Sequence, residues 1–342
     1  MHVVPGTDPA PASRYPPSMT ATPNLLAQDA AHRRRVLIGI SCAIGGATLL
    51  SVNDLAIKFL SAGYPLHEVI LTRAFIAFAF ILGFIAVSGQ SFRLLKTRRP
   101  WMHLSRVMIV MVSNVTYFLG LAALPLANAQ AIGFASPLIL TVLSVVILRE
   151  KVGLHRWGAV VVGLLGVLIM LRPEGAGSVR PAAVLVLISA LCYATAQTMT
   201  RMMRETESAV TINAYTQIGF LIVSLCMGFW AGDGHLSGSS DPSLAFLFRV
   251  WTWPPAADWP YFLATGLAVA AGGMLMGQAY RMNETALVAP FEYTSMPLAI
   301  LWGLLFFGTF PDLQGWIGIV LICGAGLYTL WRETVRRQTN AH

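Results

Sequence analysis

Charge is what this sequence has least of. Asp, Glu, Lys and Arg together supply 11% of its 342 residues, where soluble domains carry roughly a quarter. With 56% hydrophobic residues, a soluble globular fold is excluded. Cysteine is scarce too: Cys42, Cys192, Cys226 and Cys323 all lie in apolar stretches, with no CxxC spacing and no neighbouring histidine. A disulfide framework and a cysteine metal site are therefore not indicated. All seven histidines (His2, His32, His67, His103, His155, His235 and His342) fall in tails, loops or span ends, and no HExxH or DxxD pattern occurs. The alternative function, a membrane-embedded transferase-type enzyme, thus lacks convergent nucleophile, base or metal ligands. No P-loop is present, so ATP is not expected to act directly, and no cofactor, metal or catalytic residue is expected.

What remains is apolar sequence in blocks about twenty residues long, the length that crosses a hydrocarbon core roughly 30 Å thick. Ten spans are expected at 36–60, 66–88, 102–122, 127–148, 154–171, 181–201, 209–231, 259–280, 286–308 and 313–331. Residues 1–32, with six prolines and no apolar core, read as a disordered cytoplasmic tail, and 335–342 as a second cytoplasmic tail. The first block reads as a full span, not a cleaved signal. The net charge of +8 comes from short loops, so nucleic acid is not an expected partner. With a cytoplasmic amino terminus, sixteen loop and tail bases lie inside, among them Arg33–Arg35, Arg93, Lys96, Arg149, Lys151, Arg156, Arg201 and Arg332. Only Arg172, Arg180 and Arg249 lie outside. The positive-inside rule thus places both termini in the cytoplasm, for a protein of a bacterial inner membrane. The long outer connection after 231, Gly/Ser-rich at AGDGHLSGSSDPS, is expected to be mobile.

The chain repeats itself. ALPLANAQAIGFASP (123–137) lies over NETALVAPFEYTSMP (283–297), pairing Ala129 with Ala289 and Pro137 with Pro297. LHRWGAVVVGLLG (154–166) lies over LQGWIGIVLICGA (313–325), pairing Trp157 with Trp316. Each copy holds five spans, and because five is odd the second copy is inverted. The basic turn REKVGLHR after span 4 and the base-free GTFPDLQG after span 9 agree. Inverted repeats build many secondary transporters, with the site near the bilayer midplane between the copies.

LPLANAQAIGFASPL with LREKVGLHRWGAVVVGLLGVLIMLRPEG, and APFEYTSMPLAILWGLLFFG with GWIGIVLICGAGLYTLWRE, resemble the EamA-domain permeases of the drug/metabolite transporter superfamily, over about 33–334. LPLANAQAI and APFEYT look like the branch that holds S-adenosylmethionine-uptake and riboflavin-uptake proteins. The resemblance implies an all-α integral membrane fold of ten helices, as two inverted five-helix EamA repeats (33–173 and 178–334). It also implies a central cavity, alternating access and a small organic metabolite as substrate, with the lipid bilayer as surroundings. One departure is Thr309 in GTFP, where the family usually has an acid, as Glu150 stands after span 4.

Charges inside a bilayer usually face a cavity or a partner. Asp54 and Lys58, one turn apart on span 1, can neutralise each other, and with Glu68 and Arg73 they can form a network. The sharper reading places Asp54 and Arg73 at substrate. Setting Lys58 over Arg201 makes Tyr193 and Gln197 the second copy's wall. Tyr117, Gln130, Gln278 and Tyr293 complete the candidate lining, for a cavity mostly apolar with a few convergent polar groups. Glu292 has no base near it in sequence. It is the candidate proton carrier if unpaired, and a structural partner if Arg281 or Arg106 reaches it. Pro137 and Pro297 are hinge candidates. Glycines in spans 5 and 10 suit close packing and a homodimer contact.

Overall fold

The computed structural model describes residues 23–88, 96–97, 99–147, 149, 153–171, 180–203, 206–283 and 285–339, with side chains placed for all but 23–32, 201, 209, 281, 285–286 and 333–339. The tail readings, Arg281 and Glu150 fall wholly or partly outside this set. The fold is helical throughout: α1 (Pro23–Leu60), α2 (Leu66–Val87), α3 (Pro100–Ala123), α4 (Leu126–Gly133), α5 (Ser136–Val146), α6 (Leu154–Leu171), α7 (Pro181–Met203), α8 (Ala209–Ala231), α9 (Pro242–Phe248), α10 (Trp259–Met282), α11 (Thr285–Val288), α12 (Ser295–Phe307) and α13 (Leu313–Thr339). Among the described residues nine segments are long and apolar enough to cross a membrane, with α4 and α5 forming one of them. The remaining expected span, 286–308, is present in three pieces: α11, a 3₁₀ turn over Ala289–Thr294, and α12.

The two interrupted spans occupy equivalent places in the two copies, and proline explains both breaks. A proline has no N–H for the carbonyl four residues back and its ring crowds that carbonyl. For Pro137 that residue is Gly133, where α4 stops. For Pro297 it is Tyr293, inside the 3₁₀ turn, which itself carries Pro290. A bend was expected at each site; the helix instead stops and restarts. The turns that follow also correspond. Arg149 and Gly308 both take left-handed backbone, at φ 56° and 61°, and Thr309 donates its N–H to Gly303 O at 2.9 Å, closing α12 as a left-handed cap does. The Thr309 hydroxyl bonds the same carbonyl at 3.2 Å, so the residue that departs from the family pattern closes a turn.

Packing repeats under exchange of the copies. α1 lies along α10 as α3 lies along α7, while α2 against α8 and α6 against α13 map onto themselves. The interrupted span of each copy lies against the first span of the other. α6 and α13 approach closely because glycine meets backbone there: a Cβ on Gly166 would lie 3.2 Å from Gly318 O, and one on Gly318 the same distance from Gly166 O. The core runs between the copies, around Ile57, Leu66, Leu121, Leu126, Ile132 and Phe262.

The bundle has two ends, an amino-terminal face and an opposite face. At the opposite face the 232–258 connection, expected to be mobile, is folded and pinned. Asp241 caps α9 by accepting from Ser243 N and Leu244 N at 2.9 and 3.0 Å. Phe246 is fully buried, and Ser243 Oγ donates to Leu119 O at 2.7 Å. Arg249 donates to Ser61 O at 2.9 Å, Thr252 N to Glu68 at 3.3 Å, and the Tyr64 hydroxyl to Asp258. At the amino-terminal face the Thr97 hydroxyl donates to Glu207 at 2.8 Å and His103 lies 3.5 Å from the same carboxylate.

Candidate functional site

The centre of the bundle is crossed by a chain of hydrogen bonds. Asn53 Nδ2 donates to Asp54 Oδ1 at 3.0 Å. The Tyr117 hydroxyl lies 2.9 Å from Asp54 Oδ2 and 3.1 Å from Gln130 Oε1. Gln130 Nε2 donates to Ser295 Oγ at 3.0 Å, and Ser295 Oγ donates to the Glu292 carbonyl at 2.9 Å. A parallel bond runs from Trp302 Nε1 to Ser51 Oγ at 3.1 Å. The chain starts on α1, passes α3 and α4, and ends in the 3₁₀ turn of the second copy, so both interrupted spans belong to it. The interruption is what lets it form: Ser295 sits at the first residue of α12, beside a turn whose carbonyls are not all used by the helix. Tyr117 has one proton for two acceptors, so it donates to Asp54 or to Gln130 but not to both at once.

A second cluster lies nearer the amino-terminal face. Tyr280 on α10 donates its hydroxyl proton to Glu292. Gln197 Nε2 donates to the Tyr193 hydroxyl at 2.7 Å, one turn away on α7. Tyr193 is within electrostatic reach of both Glu292 and Arg106 and yet 49% exposed. Its exposure is therefore to a space inside the bundle. Gln278 is also exposed and takes no hydrogen bond among the described residues. Tyr193 on α7 and Gln278 at the α10 end are thus exposed polar groups, while the opposite end carries the folded 232–258 connection.

Several expected placements change. Asp54 and Lys58 do not pair. Lys58 Nζ reaches across to α3 and donates to Leu121 O, Ala122 O and Leu124 O at 2.6, 3.1 and 2.6 Å, because the last helical carbonyls have no partners of their own and attract a cation. Glu68 is buried against Thr252, so the four-charge network does not assemble. Arg73 is buried between the rings of Phe118 and Phe220, 5.1 and 5.2 Å from their centroids, with Nη2 3.3 Å from Asn114 Oδ1. This cation–π enclosure leaves it no open face, although its charge still acts on Asp54. Tyr293 is turned outward from the chain of bonds: it is buried, stacked on Phe134 at 4.5 Å, with its hydroxyl against Gly326. Arg106 does not meet Glu292. It is held by Thr200 and Thr216 at 2.8 Å each. Pro137 and Pro297 are both exposed.

Ser295, Asn53, Trp302, Thr200 and Thr216 were not singled out by sequence. Nothing in their spacing marks them, whereas Arg106, a base about 9 Å into an apolar span, was visible. Outside the spans, burial and the Asp258 carboxylate push the Tyr64 phenol up to about 12. Among the described residues no group of three or more His, Cys, Asp or Glu side chains could hold a metal.

A membrane bundle of two like halves, with interrupted helices joined by polar groups, is the build of a small-molecule transporter. The chain belongs to the EamA-like transporter family, whose profile matches residues 37–172 and again 180–331. It is 32% identical over 262 residues to a riboflavin transporter of Rhizobium johnstonii, covering 77% of this chain and 80% of that one. It is 25% identical to an S-adenosylmethionine uptake transporter of Rickettsia bellii, covering 86% and 94%. A protein crystal structure with 18% identity superposes at a TM-score of 0.58, over 84% of this chain and 96% of its own, a likeness of fold. The protein is thus an integral membrane transporter of a small molecule and not an enzyme.

Proposed function

We propose that this protein moves a small organic metabolite by alternating access, with the two repeats (33–173 and 178–334) rocking about the interrupted spans and movement driven by protons or by exchange. The observation that carries the reading is the hydrogen-bonded chain Asp54–Tyr117–Gln130–Ser295–Glu292, which joins one repeat to the other through both helix breaks. Inverted-repeat carriers bind substrate where broken helices meet near the midplane. Glu292 is the proton-coupling residue: among the described residues its side chain is met by a tyrosine and not by a base, so its charge can change during the cycle. Asp54, Tyr117, Gln130, Tyr193, Gln197 and Gln278 line the path, and Pro137 and Pro297 mark the hinges. Both termini face the cytoplasm of a bacterial plasma membrane, and a second copy packs on the outward faces of α6 and α13.

The relatives' names make riboflavin and S-adenosylmethionine the first solutes to try in proteoliposomes. Glu292→Gln abolishes uptake driven by a pH gradient and leaves exchange intact. Unchanged pH dependence in that variant removes Glu292 as the coupling residue.

A further inference from the structure

Arg106 is held differently from Arg73 and Lys58. The Thr200 and Thr216 hydroxyls that hold it donate their own protons to Ala196 O and Ile212 O, both at 2.8 Å. Their lone pairs are thereby left to accept from Arg106 Nε and Nη1, each at 2.8 Å. Two of the five guanidinium N–H groups are fixed in this way, and three remain. No carboxylate among the described residues lies within ion-pair distance of it. Glu292, which also acts on Tyr193, is engaged by Tyr280. Arg73 makes the contrast plain, since its charge is closed off between two phenyl rings. Near Arg106 stands a further donor: the Tyr193 hydroxyl accepts from Gln197, which frees its own proton, and its side chain is half-exposed.

A cation inside a membrane span, oriented but not neutralised, destabilises the unliganded protein, and planar guanidinium donors match an oxyanion two at a time. We infer that Arg106 and Tyr193 form the anion-binding corner of the transport site, and that the substrate carries a carboxylate or phosphate group which docks there. This names a substrate class for the transport reading above and rests on it for its physiological meaning. Binding itself is measured without a second compartment.

The test uses purified protein in detergent and a matched pair of probes, benzoate and its neutral amide benzamide, with inorganic phosphate as a third and chloride fixing ionic strength. Benzoate or phosphate raises the melting temperature of the wild type and benzamide does not. Arg106→Gln loses the shift, Arg106→Lys needs at least tenfold more anion to show it, and Tyr193→Phe weakens it. The unliganded Arg106→Gln protein melts no lower than the wild type, which a purely structural arginine holding α3, α7 and α8 together does not allow. Equal shifts from benzoate and benzamide, or a benzoate shift that survives in Arg106→Gln, overturn the inference. If Arg106→Gln does not fold, phenylglyoxal labelling of the wild type, read by mass spectrometry at Arg106, decides: protection by benzoate supports the site and equal labelling overturns it. Anion binding with no flux of any solute keeps the corner and removes the transport reading. Flux of neutral solutes alone, indifferent to Arg106→Lys, keeps the transport reading and removes the corner.

Discussion

Replacing Lys58 by methionine keeps the stem and removes the ammonium. Its three N–H groups are all used, on Leu121 O, Ala122 O and Leu124 O, and Leu121 is wholly buried, so water cannot easily take over. Hydrogen bonds to a charged group contribute about 1.5–3 kcal/mol each, and a cation at a helix C-terminus about 0.3–1 kcal/mol more. Against this stands the desolvation of the ammonium, which methionine avoids. The net expectation is a loss of about 2–3 kcal/mol, on the scale of these two principles. Unfolding in mixed detergent, followed by tryptophan fluorescence, measures it. The same experiment on Asp54→Asn and the double variant closes a cycle. Lys58 and Asp54 both reach α3 but share no hydrogen-bond partner there, so the two losses should couple by less than about 1 kcal/mol. A coupling above about 1 kcal/mol, the sign of contacting residues, would show that the two charges pair after all and refute the capping argument.

Tyr117→Phe deletes the hydroxyl between Asp54 and Gln130; we expect a stability loss of about 1 kcal/mol with a tenfold or greater fall in transport rate in proteoliposomes, and a rate within twofold of wild type would remove Tyr117 from the path. Gly326→Ala puts a methyl 1.8 Å from the Tyr293 hydroxyl, whose ring cannot retreat from Phe134, so stability should drop by about 1–3 kcal/mol and be partly restored by adding Tyr293→Phe. The Tyr64 phenol, raised to about 12 by burial and Asp258, gives a contact complete below the ordinary tyrosine range near 10 and lost as pH climbs through 12. Tyr64→Phe should therefore leave the pH profile of transport unchanged between pH 5 and 9, and a shifted profile would count against that assignment. Single cysteines at Gly153 and Asp312 should react with an impermeant maleimide from opposite sides of the membrane.

The spans were readable because a backbone in hydrocarbon must satisfy its own polar groups, which ties helix length to membrane thickness. The exchange of copies was readable because matching prolines and tryptophans recur at a nearly constant offset. Proline also marked both interruptions, though not that 289–294 would wind into a tighter turn, which Pro290 adds. Asp54 with Tyr117 and Gln130 was foreseen as three separate choices; their junction joins positions 63 and 13 residues apart, and no local pattern encodes that. The partners of Lys58 are hidden from the sequence for the same reason. Its neighbour in sequence was an acid, but its neighbours in space are carbonyls more than sixty residues away. Arg73 shows the converse, a charge stabilised by aromatic faces that sequence lists only as apolar.

The folded connector over residues 232–258 makes the two halves unequal partners. A pseudo-twofold machine with identical ends would rest equally well in either posture, but here one mouth wears a clasp of at least four bonds. Under the alternating access proposed above, each must part before that mouth can gape, so the carrier of that proposal idles turned toward the side of its amino terminus.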